Sequence, residues 1–296
     1  MKTVQVYRYD AFTLEPNKGN PAGVVLNGDT LTDDEMQAIA YETGFTETAF
    51  LIDSATADFQ IRYFTPQTEV NLCGHATIAT VVAAKSKHLI KDDVNRIQIE
   101  TKAGILDISL ELKSGTWEVT MTQNTARFKP FNGEISQLLT AIGIRDEDLE
   151  EQLPIVYGNT GVWTLLVPVK SLAVCEKMKP HNQAFAEILT EEPNASVHPF
   201  CLETIQTGCD MHGRHFSSTF AGTIEDAVTG TAAGVMGAYY ATYIQPNQTT
   251  YQLNIEQGQE MHKNGNIGVT VRKVHETCQV AVSGHAVETH RYTIVL

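Results

Sequence analysis

Arg62-Tyr63-Phe64-Thr65 precedes Gly74-His75-Ala76 in the first half of the chain. The same order returns in the second half as Arg214-His215-Phe216-Ser217 followed by Gly230-Thr231-Ala232. From 62 to 214 the arginines are 152 residues apart, and from 74 to 230 the glycines are 156 apart, so the second copy has gained four residues between its motifs. A repeat of this length predicts two similar lobes, because a solenoid requires three or more short stacked units.

The length of the chain agrees with two lobes. Its 296 residues exceed a typical single core, and lobes of about 150 residues each are the ordinary solution. We predict an N-terminal lobe over residues 1–128, completed by a C-terminal strand at 286–296, and a C-terminal lobe over residues 129–285. Ligand sites form preferentially where domains meet, so we expect the active site in the cleft between the lobes.

Charge and cysteine content exclude several classes of protein. The formal net charge of −14 repels a phosphate backbone, so nucleic acid is not an expected partner. The five cysteines are odd in number and lack CxxC spacing, which argues against a disulfide framework and a structural zinc site. The N-terminus alternates like a strand and lacks a signal-peptide pattern, and neither long apolar run reaches the roughly 20 residues of a membrane span. We therefore expect a cytoplasmic protein that does not contact a membrane.

Two segments without charge indicate buried helices. Residues 70–84 and 227–255 contain no Asp, Glu, Lys or Arg, and each has a glycine followed by small and apolar residues. A helix that is apolar on every face must be buried on every face. Around them, stretches such as 106–112 alternate with a period of two, which is typical of half-buried antiparallel strands. The predicted fold class is α+β, with each lobe a barrel-like, mostly antiparallel sheet around a buried central helix.

Gly74 and Gly230 stand at the predicted starts of these two helices. A buried helix N-terminus leaves N–H groups that need an acceptor, and a ligand carboxylate would supply one. Two such N-termini facing one another would form an anion site from backbone alone, with glycine allowing close approach. The alternative is that the side chain of Thr229, Thr231 or Asn71 simply caps these helices.

Three stretches carry a family resemblance. Thr46-Glu47-Thr48-Ala49-Phe50, Cys73-Gly74-His75-Ala76-Thr77 and the segment 225–232 resemble the signatures of the PhzF-like phenazine-biosynthesis isomerase family, within the diaminopimelate-epimerase-like superfamily. The resemblance spans essentially the whole chain. It implies two pseudo-symmetric lobes, an active site in their cleft, a homodimer, and no metal or organic cofactor. The implied activity is isomerisation of a small anionic metabolite by moving a proton.

The resemblance also assigns roles to individual residues. It implies catalytic roles for Glu47 as general acid/base, His75 and Asp226. The predicted substrate-binding residues are Cys73, Gly74, Gly230, Thr231 and Asn20; the last lies in a Gly-Asn pair that recurs at 158–159.

Two positions depart from the family pattern. Ala227 stands where the family usually has Pro, and Thr231 where it usually has Ser. Loss of the proline would free the loop that carries Asp226, because proline fixes its own φ and restricts its neighbour. The substrate of the phenazine enzyme, a dihydro-hydroxyanthranilate, is therefore not transferred to this chain.

Simpler interpretations exist for each catalytic candidate. Glu47 could be a solvated loop carboxylate, although Phe45 and Phe50 nearby would shield it from water and suit it to proton exchange. His75 could be a capping or core histidine, and Asp226 could serve only the start of the second helix.

Two other functions stay open beside the isomerase. One is a cofactor-independent racemase or epimerase, which would use Cys73 as a base but finds no thiol in residues 225–232 of the second lobe. The other is a non-catalytic protein that binds small aromatic acids. We predict a cofactor-free isomerase of a small carboxylate-bearing metabolite, with aromatic and cyclic compounds as candidates, in which Glu47 moves the proton.

Overall fold

The computed structural model describes residues 2–296 and divides into two compact units. The first unit runs up to Thr122 and is joined by Ser283–Leu296, and the second unit is Gln123–Val282. Both are mixed α/β, with many strands and few helices. The lobe boundaries predicted at residues 128 and 285 stay a prediction. Within residues 2–296, none of the helices has both the length and the apolar character that a membrane crossing needs.

The first unit alternates strands with two helices of more than ten residues. Its elements are β1 (Thr3–Ala11), β2 (Asn20–Val25), α1 (Asp33–Thr43), β3 (Thr48–Ile52), β4 (Phe59–Phe64), β5 (Glu69–Val70), α2 (Gly74–Ser86), β6 (Arg96–Thr101), β7 (Gly104–Lys113) and β8 (Thr116–Thr122).

The second unit has four α-helices, and a π-helix (Tyr240–Ile244) continues the last of them. Its elements, followed by the last strand of the chain, are β9 (Arg127–Pro130), α3 (Ile135–Ile142), β10 (Val156–Asn159), β11 (Trp163–Pro168), α4 (Leu172–Lys177), α5 (Phe185–Ile188), β12 (Ser196–Cys201), β13 (Met211–Gly213), β14 (His215–Phe216), β15 (Glu225–Asp226), α6 (Gly230–Tyr239), β16 (Thr250–Gln257), β17 (Gly265–Val274), β18 (Thr277–Gly284) and β19 (Ala286–Val295).

In the first unit the strands run in the order β19-β1-β2-β3-β4-β6-β7-β8. The pairings are antiparallel except β2 with β3 and β4 with β6, which are parallel. Helix α2 contacts β1, β2 and β3 and also the two end strands, β19 and β8. All residues from His75 to Ala84 are buried, as the uncharged sequence of this run predicts, and the following Lys85 is buried as well.

In the second unit the strands run in the order β9-β10-β11-β12-β13-β16-β17, again mostly antiparallel. Helix α6 contacts β10, β11, β16 and β17. Its glycines allow close packing: a Cβ on Gly237 would lie 2.5 Å from Cγ1 of Val269. As in α2, nearly every residue of α6 is buried.

The repeated Arg-x-Phe motif makes the same contacts in each unit. Arg62 binds both oxygens of Glu69 at 2.8 and 2.9 Å, and Arg214 binds both oxygens of Glu225 at 2.8 and 2.7 Å. Each guanidinium also lies over the phenylalanine two residues later. The paired residues are 7 apart in the first unit and 11 apart in the second. The four added residues of the second copy therefore lie between Arg214 and Glu225.

Candidate active site

Four of the residues predicted from sequence meet around one imidazole in the first unit. Nε2 of His75 lies 3.4 Å from Oε2 of Glu47. Its Nδ1 lies 3.4 Å from Sγ of Cys73 and 3.3 Å from Nδ2 of Asn20. Asn20, Cys73 and His75 are buried, whereas the Glu47 side chain keeps 20% of its exposure. Glu47 is thus the member of this group that reaches solvent.

The elements that carry these residues explain why they meet. Asn20 is the first residue of β2, which runs parallel to β3, and Glu47 directly precedes β3. The backbone N–H of Gly23 in β2 donates to the carbonyl of Glu47 at 3.1 Å. Helix α2 packs on both strands, so its first residues lie beside them. A carboxylate, an imidazole and a thiol are thereby placed within 4.8 Å of one another.

The two phenylalanines near Glu47 in sequence have other partners. Phe50 is fully buried in a core cluster and contacts Phe64 edge-on. Phe45 contacts Tyr292 edge-on. The ring contacts of Phe45 and Phe50 are thus made with other aromatic residues. The partner that we identify for the partly buried Glu47 carboxylate is His75.

The start of α2 is not capped by its own N-cap residue. Among residues 2–296, the Cys73 side chain makes no hydrogen bond that caps the helix. Among the described residues other than the chain neighbours of Gly74 and the backbone of its own helix, a Cβ placed on Gly74 would meet only Cε of Met121 within 4 Å, at 3.5 Å. The backbone here is therefore open on one side. The N–H groups at such a helix start, together with the helix dipole, favour an anion.

The second unit holds Asp226, Gly230 and Thr231, the other residues predicted from sequence. Asp226 ends β15 and Gly230 begins α6. The Oγ1 of Thr229 donates to Oδ2 of Asp226. Within the described chain, Thr229 forms no side-chain cap on α6. The alternative that Thr229 merely caps this helix is therefore wrong.

Gln257 holds the turn between Asp226 and Thr229, and sequence reasoning missed it. Its Nε2 donates to the carbonyl of Asp226 at 2.8 Å, and its Oε1 accepts from the backbone N–H of Thr229 at 3.1 Å. The side chain is 1% exposed. This turn contains Ala227, where the resemblance to the family predicts a proline. Because the Gln257 amide binds both ends of the turn, it can hold the loop that such a proline would stiffen.

Two buried histidines, one of them paired with Asp226, lie next to each other in the second unit. His215 pairs with Asp226 across β14 and β15, and its Nδ1 lies 3.1 Å from Nδ1 of His198. Burial lowers the pKa of His215, although the charge of Asp226 opposes the shift. Burial also holds the pKa of His198 well below its usual range. In the repeated motif, the residue of the first unit that corresponds to His215 is Tyr63, whose hydroxyl contacts Oγ1 of Thr77 at 2.7 Å.

Thr231 and Gly230 form the first turn of α6. The carbonyl of Thr231 accepts a hydrogen bond from Oγ1 of Thr160 at 3.1 Å. Thr160 follows the second Gly-Asn pair, which the sequence comparison of the two halves had matched to Asn20. In each unit the Gly-Asn segment therefore contacts the first turn of the buried helix, through Asn20 and His75 in one and through Thr160 and Thr231 in the other.

Comparison with known proteins shows which chains this one is similar to. Residues 9–291 match the family model described as phenazine biosynthesis-like protein. The chain is 49% identical over 287 residues to the uncharacterized isomerase YfhB of Bacillus subtilis (strain 168), covering 97% of each. A crystal structure of the Bacillus anthracis phenazine biosynthesis protein of the PhzF family superposes with a TM-score of 0.97, at 50% identity and with full coverage of both chains.

A more distant relative has a named reaction. The trans-2,3-dihydro-3-hydroxyanthranilate isomerase of Pseudomonas chlororaphis is 29% identical over 291 residues, covering 97% of this chain and 98% of that protein.

Proposed function

Since the chain belongs to the phenazine biosynthesis-like family and is an isomerase, we propose that it moves a proton on a small carboxylate-bearing metabolite without a cofactor. The observation that carries the proposal is the position of Glu47, a carboxylate with 20% of its side chain exposed that lies 3.4 Å from the buried imidazole of His75. A general acid/base must lie within hydrogen-bond reach of the proton that it moves. A polar partner such as His75 can hold the carboxylate in that position.

In the proposed mechanism Glu47 acts twice on one face of the substrate. Its carboxylate takes a proton from one carbon, and the electron pair of the broken C–H bond shifts the double bond of the substrate. The resulting carboxylic acid then returns a proton to a second carbon, which restores the Glu47 carboxylate. His75 would hold Glu47 in place and stabilise its charged form through the Nε2 contact. The atoms and charges balance without any other reactant.

The substrate carboxylate would bind at helix starts. Gly74 provides an open backbone at the start of α2, with Cys73 and Asn20 beside it. Gly230 and Thr231 provide the equivalent turn of α6, and Asp226 would orient the substrate or this turn. That both starts serve one substrate in a cleft between pseudo-symmetric lobes, each with a central helix, is part of the proposal. So are cytoplasmic location and a homodimer.

The class of substrate is proposed only as a small carboxylate, aromatic or cyclic. The Pseudomonas chlororaphis relative is named for a dihydro-hydroxyanthranilate, which is a cyclic carboxylate. Ala227 and Thr231 differ from the family pattern at the binding turn. Because these two differences lie at the proposed binding turn, the proposal names a class of substrate and not one metabolite.

The racemase alternative lacks its second base. A two-base mechanism requires a thiol beside α6 to match Cys73, and residues 225–232 contain none. Of the four cysteines in the second unit, Cys175 and Cys201 belong to a hydrophobic core cluster, and Cys209 contacts Asn266 at 3.3 Å. The fourth, Cys278, is buried on β18 and lies 3.9 Å from Oγ1 of Thr242, beyond the C-terminal end of α6 and not at its start. These positions favour a single carboxylate base.

The test is a metabolite screen with matched variants. Cell extract is incubated with the protein in deuterated water, and products are identified by chromatography and mass analysis, with and without gain of a deuteron. A product screen is needed because a proton held by Glu47 can be returned before it exchanges. The variants are Glu47→Gln and, as control, Glu42→Gln, which changes an exposed carboxylate of α1 in the same unit.

We expect a product with the parental and Glu42→Gln proteins and little with Glu47→Gln. Equal rates for Glu47→Gln and the parent would refute Glu47 as the acid/base group. Tight binding of a metabolite that no variant converts would instead support the non-catalytic binding protein.

A further inference from the structure

Two buried cysteines of the second unit have their sulfur atoms in contact. Sγ of Cys175 lies 3.9 Å from Sγ of Cys201, and both residues are at most 1% exposed. The Cys175 thiol donates to the Cys201 sulfur, and the Cys201 thiol donates to the carbonyl of Glu203 at 3.3 Å. A disulfide holds its sulfur atoms about 2.05 Å apart, so closing one here requires an approach of about 1.9 Å.

We propose that hydrogen peroxide oxidises Cys175 and Cys201 to a reversible disulfide, and that its closure loosens the strand that ends at Asp226. The thiolate of Cys201 attacks one peroxide oxygen, so that an S–O bond forms, the O–O bond breaks and hydroxide leaves. The sulfur of Cys175 then attacks the sulfenic acid of Cys201, which forms the S–S bond and releases a second hydroxide. The protons of the two thiols convert both hydroxides to water. The thiols thus lose two electrons, and the peroxide gains them.

The surroundings of the pair distinguish the two sulfur atoms. The hydrogen bond from Cys175 lowers the pKa of the Cys201 thiol, burial opposes this shift, and the charge of His212 lowers the pKa as well. For Cys175, the same hydrogen bond and burial raise the pKa of the thiol. Because the thiolate is the reactive form of cysteine, Cys201 is the sulfur that attacks the peroxide, and Cys175 closes the disulfide.

His212 is placed to act on Cys201. The two residues lie directly opposite each other across β12 and β13, so their side chains share one face of the sheet. The ring of His212 has a carboxylate 2.9 Å from each nitrogen, Glu256 on one side and Glu260 on the other. An imidazole that donates from both nitrogens is protonated, which supplies the positive charge beside the thiol.

One short surface helix covers the pair. Cys175 lies in the six-residue helix α4, which contacts β12, and Cys201 is the last residue of β12. The outer side of α4 is exposed at Ala173, Glu176 and Lys177. Short surface elements open locally at a lower free energy than the whole fold, and hydrogen peroxide is scarcely larger than water. Opening of α4 therefore admits the oxidant without unfolding the core.

The contacts of Arg214 connect the pair to Asp226. Its Nη1 donates to the carbonyl of Cys175 at 2.7 Å and to that of Met178 at 3.2 Å. Its Nε and Nη2 bind both oxygens of Glu225, which directly precedes Asp226 in β15. Drawing Cys175 towards its partner moves a carbonyl that holds the guanidinium. The strand β15 therefore loses part of its support when the disulfide closes.

The matching arginine of the first unit is held differently. Nη1 of Arg62 binds Asp33, an exposed carboxylate in the first turn of α1, at 2.6 Å. Cys73 is the only cysteine in the sequence of this unit, so no disulfide can form within it. The first unit therefore serves as an internal control for the effect of oxidation.

Peptide mapping of the reduced full-length protein tests the disulfide. The protein is treated with hydrogen peroxide, unfolded in the presence of an alkylating agent, digested and analysed without reduction. We expect a peptide pair that joins Cys175 to Cys201 and that dithiothreitol separates. Cys209→Ser is the matched control, because Cys209 is the partly exposed thiol of the second unit and its removal should leave the cross-link unchanged.

A sulfenic-acid probe tests the order of the two steps. Because Cys175→Ala lacks the thiol that closes the disulfide, it should accumulate a sulfenic acid at Cys201 that dimedone labels. Cys201→Ala should give no label at Cys175. Thermal melts establish that both variants are folded, and the cross-link in the parent tests the proposal independently of them.

Hydrogen exchange tests the effect on the strand that ends at Asp226. We expect the amides of residues 225–229 to exchange about 10-fold faster in the oxidised parent, the scale expected when a hydrogen bond to a charged group is lost. Peroxide should not change this exchange in Cys175→Ala. The matching residues 69–73 of the first unit should exchange at the same rate before and after oxidation.

Three outcomes would overturn the proposal: no cross-link between Cys175 and Cys201 in the parent, a sulfenic acid at Cys175 in Cys201→Ala, or a cross-link that leaves exchange at residues 225–229 unchanged. A reversible loss of metabolite conversion on oxidation is also expected, and this part rests on the proposed function. A parent that forms the disulfide with faster exchange but converts no metabolite when reduced would leave the disulfide standing and refute the isomerase. A parent that converts its metabolite but gives no cross-link would do the reverse.

Discussion

The starts of α2 and α6 have the same backbone plan and different chemistry. Each begins at a glycine five residues after a glutamate that binds the arginine of a repeated motif. At the start of α2 a carboxylate, a thiol and an imidazole are in contact. At the start of α6 an aspartate and a threonine are held in a turn by an amide. The two units thus share the form of the helix start, whereas the proposed proton chemistry is confined to the first unit.

The largest effect should separate the two carboxylates. Glu47→Gln keeps the size of the side chain and removes the proton carrier, so we expect turnover to fall by about 10²–10⁴-fold, the range for loss of general acid/base catalysis. Ligand affinity should change little, because the interaction is made only in the transition state. Asp226→Asn should cost less, since the side chain is proposed to orient rather than to react.

Steady-state kinetics and ligand titration of both variants test this difference. A larger loss of turnover for Asp226→Asn than for Glu47→Gln would reverse the assignment of the chemistry to the first unit.

The second expected effect is a pH dependence of stability that arises in the second unit. Burial lowers the pKa of His212, but the hydrogen bonds that its ring donates to Glu256 and Glu260, each at 2.9 Å, raise the pKa overall to about 9 from its ordinary value of 6.5. This group stabilises the fold fully below pH 6.5, and the contribution is lost as pH rises through about 9. The loss is on the order of 3 kcal/mol at most, at 1.36 kcal/mol per pKa unit.

Two buried histidines should act in the opposite direction. The pKa values of His198 and His215 are lowered by burial, so stability falls as pH drops below 6.5, where the unfolded chain binds more protons. We therefore expect the free energy of unfolding to be greatest near pH 6.5. Urea unfolding from pH 5 to pH 9.5 measures this. His212→Asn should remove the alkaline decrease, and an unchanged alkaline decrease would exclude His212 as its source.

The third effect concerns the amide that holds the α6 turn. Gln257→Leu leaves the N–H of Thr229 and the carbonyl of Asp226 without the bonds that Gln257 provides. Leaving buried polar groups unsatisfied costs about 1–3 kcal/mol. Adding Ala227→Pro to this variant should recover part of the loss, because proline restores the stiffness that the family pattern has at this position.

Chemical denaturation of the single and double variants, with Ala227→Pro alone as control, completes a double-mutant cycle. Equal effects of the proline in both backgrounds would show that Gln257 does not replace it.

Local patterns predicted the helices, but long-range contacts decided the details of the site. Thr32 and Glu35, three residues apart, form the capping box of α1, and Gly44 ends the helix in the left-handed conformation with φ of 66°. Both are features that a few neighbouring residues specify by themselves. The uncharged runs predicted the burial of α2 and α6. Gln257 escaped prediction because its partners lie 28 and 31 residues away, and no periodic pattern records such a contact. The resemblance to a family, rather than residue spacing, indicated Glu47.

The smallest effect on stability should come from a methyl group at the start of α2. In Gly74→Ala the new Cβ would lie 3.5 Å from Cε of Met121, an ordinary contact. Alanine also loses less conformational entropy in a helix than glycine, by roughly 0.5–1 kcal/mol. The melting temperature should therefore stay the same or rise slightly. Ligand binding should nevertheless weaken, because the methyl group occupies the open side on which a carboxylate would approach the backbone.

Gly237→Ala in α6 is the contrasting control. There the Cβ would lie 2.5 Å from Cγ1 of Val269, and such overpacking typically costs about 1–3 kcal/mol. We expect this variant to melt at a lower temperature while keeping the ligand-induced rise that Gly74→Ala loses. Thermal melts with and without the metabolite identified in the screen measure both quantities. If Gly74→Ala keeps the full rise, the carboxylate does not bind at the start of α2, and the shared backbone plan of the two helices is a feature of folding alone.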